Sequence, residues 1–404
     1  MVRGSSGIKM PTEFEEALNQ SFFKRLFVSE RKQIAMIADE KSPARISHRI
    51  FATRSLRNVG NGMNEKSLEV LKQYDFEVNR VLRGRGGMIL NTDRGVKLFL
   101  ECVKSDKYYE RENDITRRVA DSGFLWVDTY VQNSSGEILT PDEDGRRFYV
   151  KDWYEGKECN VRDLKDLCRA VQTLAQLHLV LLEVAGEFSG TTEEQNEKDV
   201  KAKALSGIEA GGETQLRLMY TRHMKELKLT GNYLKNKKKK SEFEQLAYKN
   251  IGSFFSEAEK AVQLLAGPQF QERLSYAKKT GDLCHGSYNI IFSNGNTAVT
   301  NFDKYKNECQ ISDLYQFMRK ILEKYDWDIQ TAYKMMEEYD KIKPVSDTER
   351  ALLAALFAFP EKFWKVMNYY FNSNKAWIPP KTKEKLEKVV QQNEKRQKFL
   401  ETLL

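Results

Sequence analysis

Several hydrophobic periods follow one another along this chain. Near residue 65, SLEVLKQY places Leu68, Val70, Leu71 and Tyr74 at roughly helical spacing and predicts a short helix. FEVNRVLRGRGGMILNTDRGVKLFLECVK then alternates apolar and polar positions and is punctuated by G-R-G-G and T-D-R-G. That pattern predicts three strands and two turns, an antiparallel meander. DKYYERENDITRRVADSGF returns to an amphipathic helical period and closes on Gly123, suited to a C-cap. WVDTYVQ and RRFYVKDWYEG, separated by the loop SSGEILTPDEDG, read as two more strands. Beyond Gly156 the period is almost entirely helical, with Leu164, Leu167, Ala170, Val171, Leu174, Leu177 and Leu179 along one side of the first long helix. A hairpin of long helices follows, divided by KNKKKK and closing at Gly267 and Pro268. NIIF–SNGN–TAVTNFD interrupts as a β-hairpin with Asn294 and Gly295 as its turn, and helices resume from Ser312. Residues 1–62, broken by SSG, SPAR and NVGNG, carry no pattern that assigns a fold.

Composition supports a folded protein with more than one lobe: 404 residues, 40% apolar and 11% aromatic. No uninterrupted apolar run approaches the ~20 residues that span a bilayer. The first residues lack the apolar core of a secretory signal, so no membrane span and a cytoplasmic site of synthesis are expected. The five cysteines are scattered without a C-x-x-C pair and fit buried thiols in a reducing compartment. Four histidines show no zinc spacing, so a metal site would have to use oxygen ligands. The net charge of +8 is mild. Its one dense basic run, residues 235–240, reads as a solvated turn between helices, with contact to an anionic partner as the alternative. No nucleic-acid module accompanies it, and nucleic acid is not an expected partner.

Five strands interrupted after the third by one helix, then a helical remainder, is the order of a kinase-like protein. The segments YDFEVNRVLRGRGG with TDRGVKLFLE, KDWYEGKEC, LAQLH, GNYLKNKKKKSEFE, LCHGSYNII and AVTNFDKY followed by ISDLYQFMRK resemble the CotS family of spore-coat proteins. That family has the fold of aminoglycoside phosphotransferase and choline kinase. The resemblance implies an α+β, two-lobed architecture. A small five-stranded antiparallel N-lobe would occupy residues 63–155, after an N-terminal extension at 1–62. A large, mostly helical C-lobe would occupy 156–404, with a helical hairpin insertion at about 185–265. It also implies other spore-coat proteins as partners, and synthesis in the mother-cell cytoplasm before deposition on the spore coat. ATP and Mg²⁺ would be the cofactors if the site is active, with nucleotide in the inter-lobe cleft.

Phosphoryl transfer in this fold needs few parts. A strand lysine meets the phosphates and is held by a helix glutamate; a catalytic-loop aspartate, a nearby asparagine and a second aspartate complete the site. Here those parts are displaced. The motif H-G-D-x-x-x-x-N, anchored on His285, puts Ser287 at the aspartate and Phe292 at the asparagine. Anchored on Asn289, it puts Cys284 at the aspartate, and Asp282 lies seven residues before Asn289. Asn301, twelve residues after Asn289, takes the metal-carboxylate position, with Asp303 two further on. The strand lysine falls near Leu100; Lys97, three residues earlier, points to the opposite face. Glu110 or Glu112 can supply the helix glutamate, but its lysine is missing, and Glu155 lies in the hinge.

Two functions follow. One is a catalytically inactive kinase-fold protein, a pseudokinase, acting as a structural or interaction component. The other is an ATP- and Mg-dependent phosphotransferase acting on a hydroxyl or amine of a small molecule. In that case Asp282 is the base, Lys97, Glu112 and Glu155 serve the nucleotide, and Asn289, Asn301 and Asp303 serve the metal. Three further features have structural readings: His178 as a core histidine, Asp313 as a helix cap that braces the loop, and Gly84, Gly86 and Gly87 as a hairpin turn.

Overall fold

The computed structural model describes residues 65–124, 126–191, 215–293, 295–372 and 380–403. The expected N-terminal extension and Asn294 of the expected turn lie outside the described residues. The first helix is a 3-10 helix, Glu65–Gln73. The meander forms as its alternation predicts: β1 (Val78–Gly84), β2 (Gly87–Thr92) and β3 (Gly95–Glu101). Gly84 pairs with Gly87, leaving Arg85 and Gly86 as a two-residue turn with φ of 57° and 80°. Two positive φ values match the right-handed strand twist, so the glycine-rich run is a tight hairpin turn. Helix α1 (Asp106–Asp121) ends just before Gly123, whose φ is 102°.

Strands β4 (Tyr130–Val131), β5 (Thr140–Pro141) and β6 (Arg147–Asp152) complete the sheet in the order β1-β2-β3-β6-β4. The two-residue β5 also pairs with β6, giving six strands where five were expected; it arises inside the segment read as loop. Because side chains alternate, the sheet has two unlike faces. Met88, Leu90, Phe99, Phe148 and Val150 meet Val70, Leu71 and Tyr74 on one face. Ile89, Val96, Leu98 and Leu100 look the other way, toward Trp153, Ile291 and Ala298.

The C-lobe begins with β7 (Lys157–Glu158) and α2 (Leu164–Thr191). By length and composition Leu164–Ala185 could cross a membrane, but most of it is buried as the central helix of this lobe. Leu167, Val171, Leu174, Leu177 and Leu181 carry that burial. The helical hairpin is α3 (Gln215–Asn236) and α4 (Glu242–Leu265), and α5 (Pro268–Thr280) starts with proline in its first turn. A Ser241/Glu244 capping box opens α4, satisfying two backbone donors at once. Short strands β8 (Leu283–Cys284), β9 (Asn289–Ser293), β10 (Asn296–Thr300) and β11 (Lys306–Asn307) build the cleft floor. Helices α6 (Ile311–Leu322), α7 (Ile329–Asp340), α8 (Asp347–Ala358), α9 (Glu361–Phe371) and α10 (Lys381–Leu403) fill the rest.

Candidate functional site

The site lies where β9 and β10 open toward the sheet. Their ladder sets Asn289 opposite Thr300, and Asn301 is the next residue along from that pair. The loop before them hangs on one carboxylate. The backbone N–H groups of His285 and Gly286 donate to Asp313 at 2.6 and 2.9 Å, and His178 Nε2 lies 3.3 Å from the same group. Tyr339 Oη holds His178 Nδ1 at 2.7 Å. Burial alone would raise the Asp313 pKa, but the His178 contact and the Gly286 N–H hold it below the usual carboxylate value. His178 is the core histidine expected, and Asp313 braces the loop as expected but is not the helix cap, since it lies in the first turn of α6, whose cap is Gln310.

Both ends of this loop are anchored in the fold. His285 stands on the Asp313 brace and packs on Phe302 at 4.4 Å, while Asn289 starts β9. Ser287 and Asn289 are two residues apart where the motif has five, and the Asn289 amide donates to the Ser287 carbonyl at 2.6 Å.

Asp282, the alternative base, is buried and committed elsewhere. Arg273 reaches its carboxylate at 3.2 Å and Thr280 donates to it at 2.5 Å; Arg273 also binds Glu349 at 2.9 Å. Arg273 thereby joins α5 to α8 and holds Asp282 beside them. Lys97 is likewise occupied: it pairs with Asp152 at 2.5 Å on the face of β3 turned away from the cleft. The strand parity that separates it from Leu100 holds. Asp303 is half-buried, and its carbonyl accepts from Lys104 and, at 2.6 Å, from Tyr108. Glu155 is exposed in the hinge.

One expectation is corrected. Glu112 does have a lysine, and it comes from the neighbouring strand. Lys151 of β6, directly opposite Leu98 of β3, reaches Glu112 at 2.5 Å and Asp128 at 3.3 Å. All three side chains are nearly inaccessible. Asp128 also accepts the backbone N–H of Asn301 at 3.0 Å, so the cluster joins α1, β6, the segment before β4 and the end of β10. The Lys151 ammonium lies 4.6 Å from the Tyr130 ring centroid. Burial disfavours the charge on Lys151, but the two carboxylates outweigh it and its pKa stays raised. The signal was a lysine inside the apolar alternation FYVKDW, on the same face as Tyr149 and Trp153. Among the described residues, no three His, Cys, Asp or Glu side chains converge as a metal site.

Above this cluster, Leu98 packs with Trp153, Ile291 and Ala298, and Leu100 and Ile89 pack against them. The tip of the β1–β2 turn is tied down by an Arg85–Glu158 ion pair, and Arg85 lies 5.9 Å from the Trp153 ring centroid.

Two buried groups give opposing pH effects. Burial pushes His285 down to about 4 from an ordinary 6.5, so its contribution is complete above 6.5 and is lost as pH falls toward 4. Burial raises Asp128 to about 6 from 3.8, so below 6 the fold binds a proton more readily than the unfolded chain and gains relative stability. Replacing Asp128 with Asn removes the second effect. Urea midpoints of Asp128→Asn are expected to fall more steeply than those of the natural protein between pH 6.5 and 4. Parallel curves would contradict this assignment.

An antiparallel sheet lobe hinged to a helical lobe, with a histidine-containing loop braced by a buried aspartate, defines the aminoglycoside phosphotransferase-like class. An aminoglycoside phosphotransferase from Alicyclobacillus acidocaldarius subsp. acidocaldarius is similar with a TM-score of 0.71 at 17% identity, covering 86% of this chain and 97% of that one. Spectinomycin phosphotransferase APH(9)-Ia, in its AMP-bound complex, gives a TM-score of 0.50 at 10% identity, covering 84% and 94%. These likenesses establish the fold. Residues 214–403 match the family described as "Spore coat putative kinase YutH", a similarity in line with the CotS-like motifs. No curated protein matches the chain in sequence.

Proposed function

We propose that the protein is a spore-coat component of kinase fold that acts through its surfaces and does not transfer phosphate. One observation carries this reading. The cleft face of β3 presents Leu98 and Leu100, packed against Ile291 and Trp153, where the motif places the phosphate-binding lysine. Ser287 and Asn301 in the carboxylate positions support it, since neutral groups hold Mg²⁺ less strongly than carboxylates. In this reading the chain is made in the mother-cell cytoplasm, is deposited on the spore coat, and has other coat proteins as partners.

The Glu112–Lys151 pair favours a second reading, an ATP- and Mg-dependent small-molecule phosphotransferase that takes its lysine from β6. Thermal unfolding with and without millimolar ATP, each with and without Mg²⁺, separates the two. A ligand bound only by the native state at ~100 times its Kd adds about 2.7 kcal/mol, a rise of a few degrees in Tm for a chain of this size. No shift is the expected result. A shift that requires Mg²⁺ would overturn the inactive reading and move the second into its place.

A further inference from the structure

Five of the six residues at 235–240 are lysines, and Lys235, Lys238 and Lys239 are exposed at the loop end of the α3–α4 hairpin. Two others wire the loop. Lys237 pairs with Glu244 at 2.6 Å, and Lys240 donates to the Lys237 carbonyl at 2.6 Å. Tertiary structure then enlarges the basic surface. Lys383 binds Glu242 at 2.5 Å, which sets the first turn of α10 beside the first turn of α4. The exposed Lys381 and Lys385 of α10 thereby join the same end of the molecule. Ser241 Oγ, 3.0 Å from Tyr370 Oη, and Phe243, stacked on Tyr370 at 3.8 Å, fix the arrangement. Two helix N-termini add their positive partial charge; the nearby Glu242, Glu244 and Glu387 are engaged by lysines, while Glu384 in the first turn of α10 is exposed among the more numerous lysines. Exposed Tyr233 and Tyr248 flank the loop, with the Lys237 and Lys240 ammonium groups 5.7 and 4.8 Å from their ring centroids.

We propose that this composite basic end docks on an anionic lipid bilayer. The loop end of a helical hairpin is convex, so it has no groove to enclose an acidic peptide. Its charges are lysines, which attract diffuse negative charge and lack the fork of arginine for paired recognition. An array of lipid headgroups conforms to a convex surface, and flanking tyrosines suit the interface between headgroup and acyl chain.

The test is co-sedimentation of the full-length protein with phosphatidylcholine vesicles, with and without phosphatidylglycerol, at low and high salt. Binding is expected only to the anionic vesicles and should weaken with salt. Substituting Lys235→Gln, Lys238→Gln, Lys239→Gln and Lys385→Gln together should lower affinity on the order of a hundred-fold or more. Replacing the distant exposed Lys72 and Lys107 with Gln should leave binding nearly unchanged. If the fourfold variant melts early, Lys238→Glu with Lys239→Glu, confined to the loop, makes the same test. Failure to bind anionic vesicles, or binding indifferent to these substitutions, overturns the proposal. Capture of polyglutamate with no vesicle binding would reassign the surface to an acidic protein partner.

Discussion

Replacing Lys151 with methionine is expected to lower the stability of the fold by about 3–5 kcal/mol, the usual cost of breaking a buried ion pair from one side. The substitution keeps most of the side-chain volume, so little of the loss is packing. What remains is two carboxylates, Glu112 and Asp128, without the ammonium at 2.5 and 3.3 Å that offsets their desolvation. Two controls separate charge from shape. Adding Glu112→Gln to Lys151→Met should recover part of the loss, because one unpaired charge disappears. The deficit of the single variant should also shrink as pH falls from 7 toward 4, where protonation of Asp128, whose pKa burial already raises, replaces the missing lysine in neutralising it. Urea denaturation of the three proteins across that range provides the measurement. A loss below about 1 kcal/mol at pH 7 would mean that the cluster is solvated and does not tie α1 to the sheet.

Gly286→Ala is expected to cost more than about 3 kcal/mol, beyond what backbone strain alone imposes on a non-glycine residue. Gly286 has φ of +78°, and a Cβ there would lie 1.8 Å from the Lys304 carbonyl oxygen and 2.8 Å from its carbon. Those are backbone atoms at the end of the 3-10 turn Phe302–Lys304, held in place by Phe302 beneath His285. Relief of the clash has to shift either that turn or the Asp313 brace, which Gly286 N–H helps to form at 2.9 Å. Gly86→Ala is the control: φ is +80°, but nothing lies within 4 Å of a Cβ. It should cost about 1–2 kcal/mol, the left-handed strain alone. Equal midpoints for the two variants would show that the close approach at Gly286 relaxes freely.

Much of the fold was legible in local patterns. The meander, the α1 helix ending before Gly123, the α3–α4 hairpin and the β9–β10 pair all arise from alternation, helical spacing and turn residues acting over a few neighbours. The 3-10 character of Glu65–Gln73 and the two-residue β5 were not legible, because each is fixed by what it packs or pairs against. At the site, parity along β3 separated Lys97 from the cleft without any tertiary information. The catalytic-loop motif gave two conflicting registers because Ser287 and Asn289 stand two residues apart where the template has five. Asp282 drew attention as a carboxylate near the motif, and only the structure shows that it is held by Arg273, which also reaches Glu349 on α8.

The chain by itself determined the order of its elements, the face on which each residue of a strand lies, and the amino acids available at the cleft. Those are consequences of backbone geometry, which repeats over two residues in a strand and over 3.6 in a helix. Tertiary structure decided which charges meet. Glu112 finds its lysine on β6 because pairing puts Lys151 opposite Leu98, and the basic loop gains Lys381 and Lys385 because Lys383 reaches Glu242 from more than a hundred residues away. Electrostatic energy depends on distance through space and on exclusion of water, and neither can be read from separation along the chain.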